Sequence, residues 1–278
     1  MAVLASLWSA LRRHWSYYLT EAAGVAAFLA FISVSSVLIH HPDLPLRGWL
    51  GETEWLRRAV LAGVVVLVVA AITYSPWGQR SGAHINPAVT LAFWHLGSLR
   101  TADAFWYVLA QCTGGVAAGL GLSWVLRRWY AHPDVNFNLT EPGPAGVAVA
   151  LLAEVVISGL LMWLLLYALH SERLRSRSGW LVAALLAVYV VVEAPLSGMS
   201  LNPARSLGAA VGAGRFEHLW IYWLAPIPAM WLAAVLFQRL HQGAPLECAV
   251  LAGCATRSEH GPYATEPPQF PNPEGDQE

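Results

Sequence analysis

Residues 81–88 read SGAHINPA and residues 197–204 read SGMSLNPA, so the pattern Ser-Gly-x-x-x-Asn-Pro-Ala occurs twice. In each copy the serine and glycine can bend the chain, the asparagine can cap a helix, and the proline can occupy the first helical position. A short apolar run follows each proline. Because a helix needs about 20 residues to cross a bilayer, these runs predict two half-helices, 87–96 and 203–211, that begin inside the membrane.

The composition of the chain is that of a membrane protein. Of its 278 residues 56% are hydrophobic and only 12% are charged, whereas soluble domains are about a quarter charged. The net charge of −1 gives no reason to expect a nucleic-acid partner. Cys112 lies in an apolar stretch and Cys248 and Cys254 lie near the end of the chain, a distribution that does not indicate a disulfide scaffold.

Six long apolar segments are expected to cross the membrane as helices, which places the chain among all-α membrane proteins. They are Tyr17 to Ile39, Ala59 to Ser75, Phe105 to Leu126, Val147 to Leu169, Trp180 to Ala194 and Trp220 to Leu240. From residue 242 onward proline, glutamate, glutamine and glycine dominate. This composition predicts that residues 242–278 form a disordered cytoplasmic tail with no part in a pore.

A polar linker over residues 131–146 divides the chain into two similar halves, 1–130 and 147–241. Each half has three spans and places its half-helix between the second and the third. Because three is an odd number, the second half must enter the membrane from the opposite side. The predicted fold is therefore an inverted repeat of six transmembrane helices plus two re-entrant half-helices, with the two Asn-Pro-Ala turns facing each other near the bilayer midplane.

The distribution of arginine favours cytoplasmic termini. Arg12 and Arg13 precede the first span, and three further arginines lie in the loop over residues 171–178. In a six-span protein both segments lie on the same side of the membrane, and an excess of arginine is typical of the cytoplasmic side. Arginines also occur in the loop between the first two spans, on the opposite side.

Taken together, these features resemble those of the aquaporin, or major intrinsic protein, family. The resemblance extends over residues 15 to 240 and depends on the paired turns, the six-span inverted repeat, and Glu21 and Glu154 near the start of the first and fourth spans. Ser206 and Tyr222 resemble the water-channel branch, which we interpret as a bacterial-type branch. The resemblance implies a passive channel for water and small neutral solutes in the cell (inner) membrane, and a homotetramer with one pore per subunit. The sequence shows no metal-ligand spacing, nucleophile elbow or phosphate-binding loop, so we expect no cofactor, no metal and no enzymatic activity.

The paired turns suggest how such a pore would exclude ions. Each half-helix directs the positive end of its dipole, roughly half an elementary charge, toward the midplane, where two such ends repel cations. The side-chain amides of the two asparagines can donate to passing water. Alternatively, both asparagines are only helix caps; one amide can serve both purposes. The predicted pore motifs comprise Asn86, Pro87, Ala88, Asn202, Pro203 and Ala204.

A selectivity filter is implied by the residues around the second turn. Arg205 follows it directly, and a guanidinium inside a membrane protein is expected to face a water-filled cavity. The alternative is a structural ion pair with Glu193. Counting back from the turns without gaps, the resemblance places the other filter positions at Val66, Val190 and Met199. Such a ring is apolar on three sides and wider than a water-only ring, which leaves room for ammonia, hydrogen peroxide, urea or glycerol.

The resemblance also assigns Glu21, His84 and Glu154 to the support of the re-entrant loops, with Glu21 reaching toward His84 and Glu154 toward the backbone before Asn202. Two other functions remain open. Glu21, Glu154 and Glu193 could serve an ion- or proton-coupled small-solute transporter, or the chain could be a membrane adhesion or scaffold protein with a closed pore. Backbone N–H groups in each loop need acceptors, which favours the supporting role.

Overall fold

The computed structural model describes residues 2–241 and 248–254. Regular structure within these residues consists of helices alone, six of which are long and apolar enough to cross a membrane. The prediction of six spans in an all-α membrane protein is therefore confirmed. The candidate spans are Val3–His40, Glu54–Tyr74, Thr101–Ala131, Val147–His170, Arg175–Val192 and Ile221–Leu240.

Twelve α-helices make up this part of the chain, and several spans are longer than the sequence predicts. In chain order they are α1 (Ala2–His40), α2 (Pro45–Leu50), α3 (Glu54–Tyr74), α4 (Pro76–Ser81), α5 (Pro87–His95), α6 (Thr101–Ala131), α7 (Val147–His170), α8 (Ser178–Val192), α9 (Ala194–Ser197), α10 (Pro203–Ala213), α11 (Ile221–Leu224) and α12 (Pro226–Leu240). Single turns of 3₁₀ helix cover Asn136–Asn138 and Arg175–Arg177.

The two half-helices are α5 and α10, and they start where the sequence predicts. Each begins at a proline, and the preceding asparagine accepts a hydrogen bond through its side chain from the backbone N–H two residues later. With 9 and 11 residues, they extend about 14 and 17 Å at 1.5 Å per residue. Each therefore crosses about half of a hydrocarbon core that is roughly 30 Å thick.

Packing interlocks the two halves of the repeat. Helix α5 of the first half packs against α12, the last span of the second half, and α10 of the second half packs against α6, the last span of the first. The spans α3 and α8 also pair across the halves. The division of the chain into two halves at residues 131–146 stays a prediction. Each half-helix packs against a span of the other half, so the two halves are not separate packing units.

Three glycines allow α6 and α10 to touch backbone to backbone. A Cβ atom on Gly119 would lie 1.9 Å from the carbonyl oxygen of Gly208, and one on Gly115 would lie 2.4 Å from that of Ala204. Small residues at helix crossings permit this approach in membranes, where close van der Waals packing holds helices together. These contacts fix the position of α10, and therefore of the second turn.

We expect Gly119→Ala to destabilise the protein, because the added methyl group overlaps the backbone of α10. Overpacking of this kind costs about 1–3 kcal/mol, so thermal unfolding in detergent should occur at a lower temperature. Gly121→Ala is the matched control, since a Cβ atom there meets nothing within 4 Å. Equal unfolding temperatures for the two variants would contradict the proposed role of Gly119.

The prediction of a disordered tail outside the pore is wrong for residues 248–254. Cys248 and Cys254 form a disulfide, and Val250, Leu251 and Ala252 are buried in the main apolar cluster. The prediction used the composition of residues 242–278 as a whole, in which this short apolar segment has little weight. The pairing of its cysteines depends on a conformation that the sequence pattern does not show. The rest of the predicted tail, residues 242–247 and 255–278, lies outside the described residues.

Candidate functional site: a pore between two broken helices

The first re-entrant loop is held by a buried carboxylate on α1. Oε1 of Glu21 accepts hydrogen bonds from Ser81 Oγ (2.8 Å) and from the backbone N–H of His84 (3.1 Å). Oε2 accepts from the backbone N–H of Ile85 (2.6 Å) and from Gln111 Nε2 (2.8 Å). Four donors therefore converge on a side chain with no exposed surface, and together they fix the course of the loop.

The second loop repeats this arrangement with Glu154 on α7. Its carboxylate accepts from Ser197 Oγ (2.8 Å) and from the backbone N–H groups of Ser200 (2.6 Å) and Leu201 (2.9 Å). Glu154 is also fully buried. Because both carboxylates are engaged by the loops of their own halves, this geometry favours the supporting role over proton coupling.

These hydrogen bonds hold an unfavourable backbone conformation. In the first loop Ala83 (φ 53°) and Ile85 (φ 41°) lie in the left-handed region, and in the second loop Met199 (φ 50°) and Leu201 (φ 54°) do the same. Residues other than glycine reach this region at a cost of about 1–3 kcal/mol each and remain there only when the surroundings demand it. The identical alternation in both loops indicates that the extended path next to the cavity depends on the buried carboxylates.

The two Asn-Pro-Ala turns meet tip to tip. Asn86 Nδ2 donates to the carbonyl oxygen of Leu201 at 2.9 Å, and Asn202 Nδ2 donates to that of Ile85 at 2.7 Å. The side-chain oxygen of each asparagine caps its own half-helix. An amide nitrogen carries two hydrogens, so each asparagine keeps one for another acceptor, and both side chains line a cavity.

This cavity has a volume of about 370 Å³ and lies between the spans of both halves. Toward one end its lining includes His40, Glu54 and Arg58; toward the other it includes Val182 and Leu251. The two asparagines lie between these groups. The gap between the turns is therefore not filled by side chains, as a pore requires.

Comparison with known proteins decides the family. The family model described as Major intrinsic protein matches residues 9–237. The chain belongs to the major intrinsic protein family. Since proteins of this family are channels, the predictions of an aquaporin-like membrane protein and of a chain without enzymatic activity are confirmed.

Two plant members of the family illustrate the degree of similarity. "Probable aquaporin NIP7-1" of Arabidopsis thaliana is 35% identical over 207 residues, covering 73% of this chain and 69% of that protein. "Aquaporin NIP3-1" of Oryza sativa subsp. japonica is 34% identical over 178 residues, covering 63% of this chain and 54% of that protein. The chain thus spans little more than half the length of the rice relative. The bacterial-type branch remains a prediction.

A solved structure shows the same fold. The X-ray structure of the aquaglyceroporin from Plasmodium falciparum superposes with a TM-score of 0.64 and covers 83% of this chain and 96% of its own. Sequence identity is 16%, so this likeness concerns the fold alone. It supports the arrangement of the helices described above.

Three of the four predicted filter residues line the cavity, and one does not. Val190, Met199 and Arg205 are among its lining residues, whereas Val66 is not. On α3 the lining residues include Val65, whereas Val66 is not among them, although both belong to the same apolar cluster. The lining of the cavity therefore favours Val65 over Val66, and the filter assignment stays a prediction. The count crosses Ser75, where α3 has ended and the separate helix α4 has not yet begun.

Arg205 is held by a loop whose contribution the sequence does not reveal. Its Nη1 donates to the carbonyl oxygen of Asn138 at 3.0 Å. Asn136, Phe137 and Asn138 all have positive φ angles between 45° and 55°, which gives this part of the predicted linker a defined shape. No ion pair joins Arg205 to Glu193 within residues 2–241 and 248–254.

Two tyrosines complete the support of the loops and were not predicted for this role. Tyr107 donates to the carbonyl oxygen of Ser81, and Tyr222 donates to that of Ser197, both at 2.6 Å. Both side chains are completely buried. The equivalent placement of the two tyrosines in the two halves is a signal that a comparison of the repeats could have used.

His84 contacts the end of the chain as well as the first half-helix. Its Nδ1 lies 3.3 Å from Thr90 Oγ1, and its Nε2 lies 2.9 Å from the carbonyl oxygen of Ala249. The ring also stacks on Phe93. His84 is therefore a packed loop residue that connects the pore to the segment of residues 248–254.

Proposed function

We propose that this protein is a passive channel that conducts water and small neutral solutes and excludes protons and ions. The observation that carries the proposal is the meeting of Asn86 and Asn202 inside the cavity, each at the N-terminus of a half-helix. Two positive helix ends at one point disfavour cations, and a neutral molecule meets no such barrier.

The asparagines would also interrupt proton transfer. One amide hydrogen of each remains after the contact between the loops. A water molecule that accepts both of these hydrogens directs its own hydrogens away from the turns. Such a molecule cannot accept a proton from a neighbouring water, so a file of water crosses the centre without conducting protons.

For the selectivity filter we propose Val65, Val190, Met199 and Arg205, with Val65 replacing the predicted Val66. Arg205 is the one charged member, and it repels cations and donates hydrogen bonds to polar solutes. The other three side chains are apolar and have no polar group to bind water. This ring is suited to uncharged molecules such as ammonia, hydrogen peroxide, urea and glycerol.

We further propose the placement and the assembly of the protein. Arg12 and Arg13 in α1 and the arginines near Arg175 support a cell (inner) membrane protein with both termini in the cytoplasm. Many large apolar side chains on the spans are exposed, including Trp124, Leu152 and Leu232, and they suit contact with lipid or with other subunits. A homotetramer with one pore per subunit fits family membership.

Stopped-flow light scattering on proteoliposomes tests this function. With a dithiol reductant present, because a disulfide loop lies at one end of the cavity, water flux should exceed that of empty liposomes with no proton leak detected by an enclosed pH dye. Accumulation of solute driven by a pH or sodium gradient would instead establish coupled transport. Flux equal to that of empty liposomes would leave a closed scaffold protein.

The size of the filter can be tested with Val190→His. The imidazole side chain is larger and more polar than that of valine, so it should narrow the filter. Glycerol flux should fall roughly tenfold, which corresponds to a barrier increase of about 1.4 kcal/mol, while water flux persists. Val188→His is the control, because Val188 lies on the same helix with its side chain exposed on the outer surface. Unchanged glycerol flux in Val190→His would remove this residue from the filter.

A further inference from the structure

The segment of residues 248–254 lies across one mouth of the cavity. Leu251 lines the cavity itself. Its backbone N–H donates to the carbonyl oxygen of Gly82 at 2.9 Å, and its carbonyl oxygen accepts from Ser178 Oγ at 2.5 Å. Gly82 belongs to the first re-entrant loop and Ser178 begins α8, so these two hydrogen bonds attach the segment to two different walls of the same mouth.

Further contacts show that the segment is docked closely. His84 Nε2 lies 2.9 Å from the carbonyl oxygen of Ala249. A Cβ atom on Gly253, which has a φ of 78°, would lie 2.1 Å from the carbonyl oxygen of Arg175. Val250 and Leu251 are only 1% and 5% exposed. Because Leu251 also lines the cavity, its apolar side chain lies where a conducting pore needs an open entrance.

The disulfide closes the docked segment into a ring. Cys248 and Cys254 are its first and last residues, and the two residues that bond to the mouth, Ala249 and Leu251, lie between them. Cross-linking the ends of a segment restricts the conformations available to it when it is not docked. The disulfide therefore favours docking, and its reduction increases the conformational entropy that docking must overcome.

We propose that residues 248–254 form a redox-controlled plug that closes the pore when the disulfide is present and releases it when the two cysteines are thiols. This inference rests on the proposed channel function. With the termini in the cytoplasm, where thiols are kept reduced, the pore conducts under ordinary conditions and closes under oxidising conditions. The seal is the apolar side chain of Leu251, since an apolar constriction blocks water by dewetting.

The switching reaction is thiol–disulfide exchange with a low-molecular-weight thiol and its disulfide. In closing, the thiolate of one cysteine attacks the small disulfide and releases one small thiol, leaving a mixed disulfide. The second cysteine then attacks the mixed disulfide and releases the other small thiol. The two cysteines lose two electrons and two protons, which the two released small thiols carry. Opening is the reverse reaction.

The test compares oxidised and reduced protein in proteoliposomes, using the full-length chain with Cys112→Ser. Cys112 is the free cysteine of the described residues. Its replacement leaves Cys248 and Cys254 as the cysteines that can be oxidised or reduced. The oxidation state is established by thiol alkylation and mass spectrometry. We expect water permeability after treatment with a membrane-permeable dithiol to exceed that of the oxidised protein by about tenfold, since dewetting of a constriction nearly abolishes flux.

Two variants separate the plug from other effects of the reductant. Gly253→Ala keeps both cysteines but cannot dock without a clash with Arg175, so it should conduct even when oxidised; Gly121→Ala is the control and should remain closed when oxidised. The double variant Cys248→Ser/Cys254→Ser should conduct as fast as the protein with reduced cysteines, whether or not reductant is present. Equal permeability of the oxidised and reduced protein, with the disulfide demonstrated, would overturn the plug.

Amide hydrogen exchange distinguishes failure of the plug from failure of the channel. Docking protects the amide of Leu251, which bonds to Gly82, and reduction should remove this protection. If protection changes as expected but neither the reduced protein nor the double variant conducts, the channel function fails. If protection is independent of the redox state, the plug fails whatever the flux.

Discussion

Replacement of Glu21 by glutamine is expected to destabilise the protein by about 2–6 kcal/mol, because two buried donors lose their acceptor at roughly 1–3 kcal/mol each. The carboxylate accepts four hydrogen bonds, two at each oxygen. Glutamine replaces one oxygen with an NH₂ group, which then faces donors such as the backbone N–H of Ile85. The left-handed conformation of the loop loses the contacts that maintain it.

Thermal unfolding in detergent, followed by tryptophan fluorescence, measures this effect. Glu52→Gln is the matched control, because Glu52 is an exposed residue paired with Arg47 at the surface, where ion pairs contribute about 0–1 kcal/mol. We expect a clear fall in the unfolding temperature of Glu21→Gln and almost none in the control. Similar shifts in both variants would show that the carboxylate does not hold the loop.

Substitution of Arg205 by valine is expected to make the pore permeable to cations and to raise glycerol flux by about tenfold, a change that corresponds to a barrier lower by about 1.4 kcal/mol. The guanidinium is the only charged member of the proposed filter, and its removal leaves a wider, wholly apolar ring. Its hydrogen bond to the carbonyl oxygen of Asn138 is lost as well.

Cation leak is measured by the collapse of a potassium gradient in proteoliposomes, and glycerol flux by light scattering, both under reducing conditions. Arg128→Val is the matched control, since Arg128 lies near the end of α6 with its side chain exposed. Arg205→Lys separates charge from shape, because lysine keeps the charge without the planar fork; it should still exclude cations. If Arg205→Val excludes cations as well as the unaltered protein does, Arg205 is not the filter cation.

Most of the fold could be predicted because its signals are local. An asparagine before a proline favours the start of a helix, and α5 and α10 begin at Pro87 and Pro203 as expected. Long apolar runs predict the spans, and an odd number of spans per half implies inversion of the repeat. The supporting glutamates were anticipated only through family resemblance, and the structure places both against their loops.

Pore-lining positions were harder to predict where the count of residues crosses a junction between two helices. Residues on a helix are separated by about 100°, so a difference of one residue on α3 exchanges Val65, which lines the cavity, for Val66, which does not. The count from the first turn passes Ser75, which caps α4 after α3 has ended. Nothing in the local sequence specifies how many residues such a junction absorbs.

The sequence by itself determined the membrane environment, the six spans, the two half-helices and their inversion, since each follows from hydropathy, capping or chain count within a short stretch. Only the tertiary structure decided which side of α3 faces the cavity, that the carbonyl oxygen of Asn138 holds Arg205, and that residues 248–254 dock at the mouth. The physical reason is that these contacts join residues distant in the chain through backbone groups, which every residue carries and no sequence pattern distinguishes.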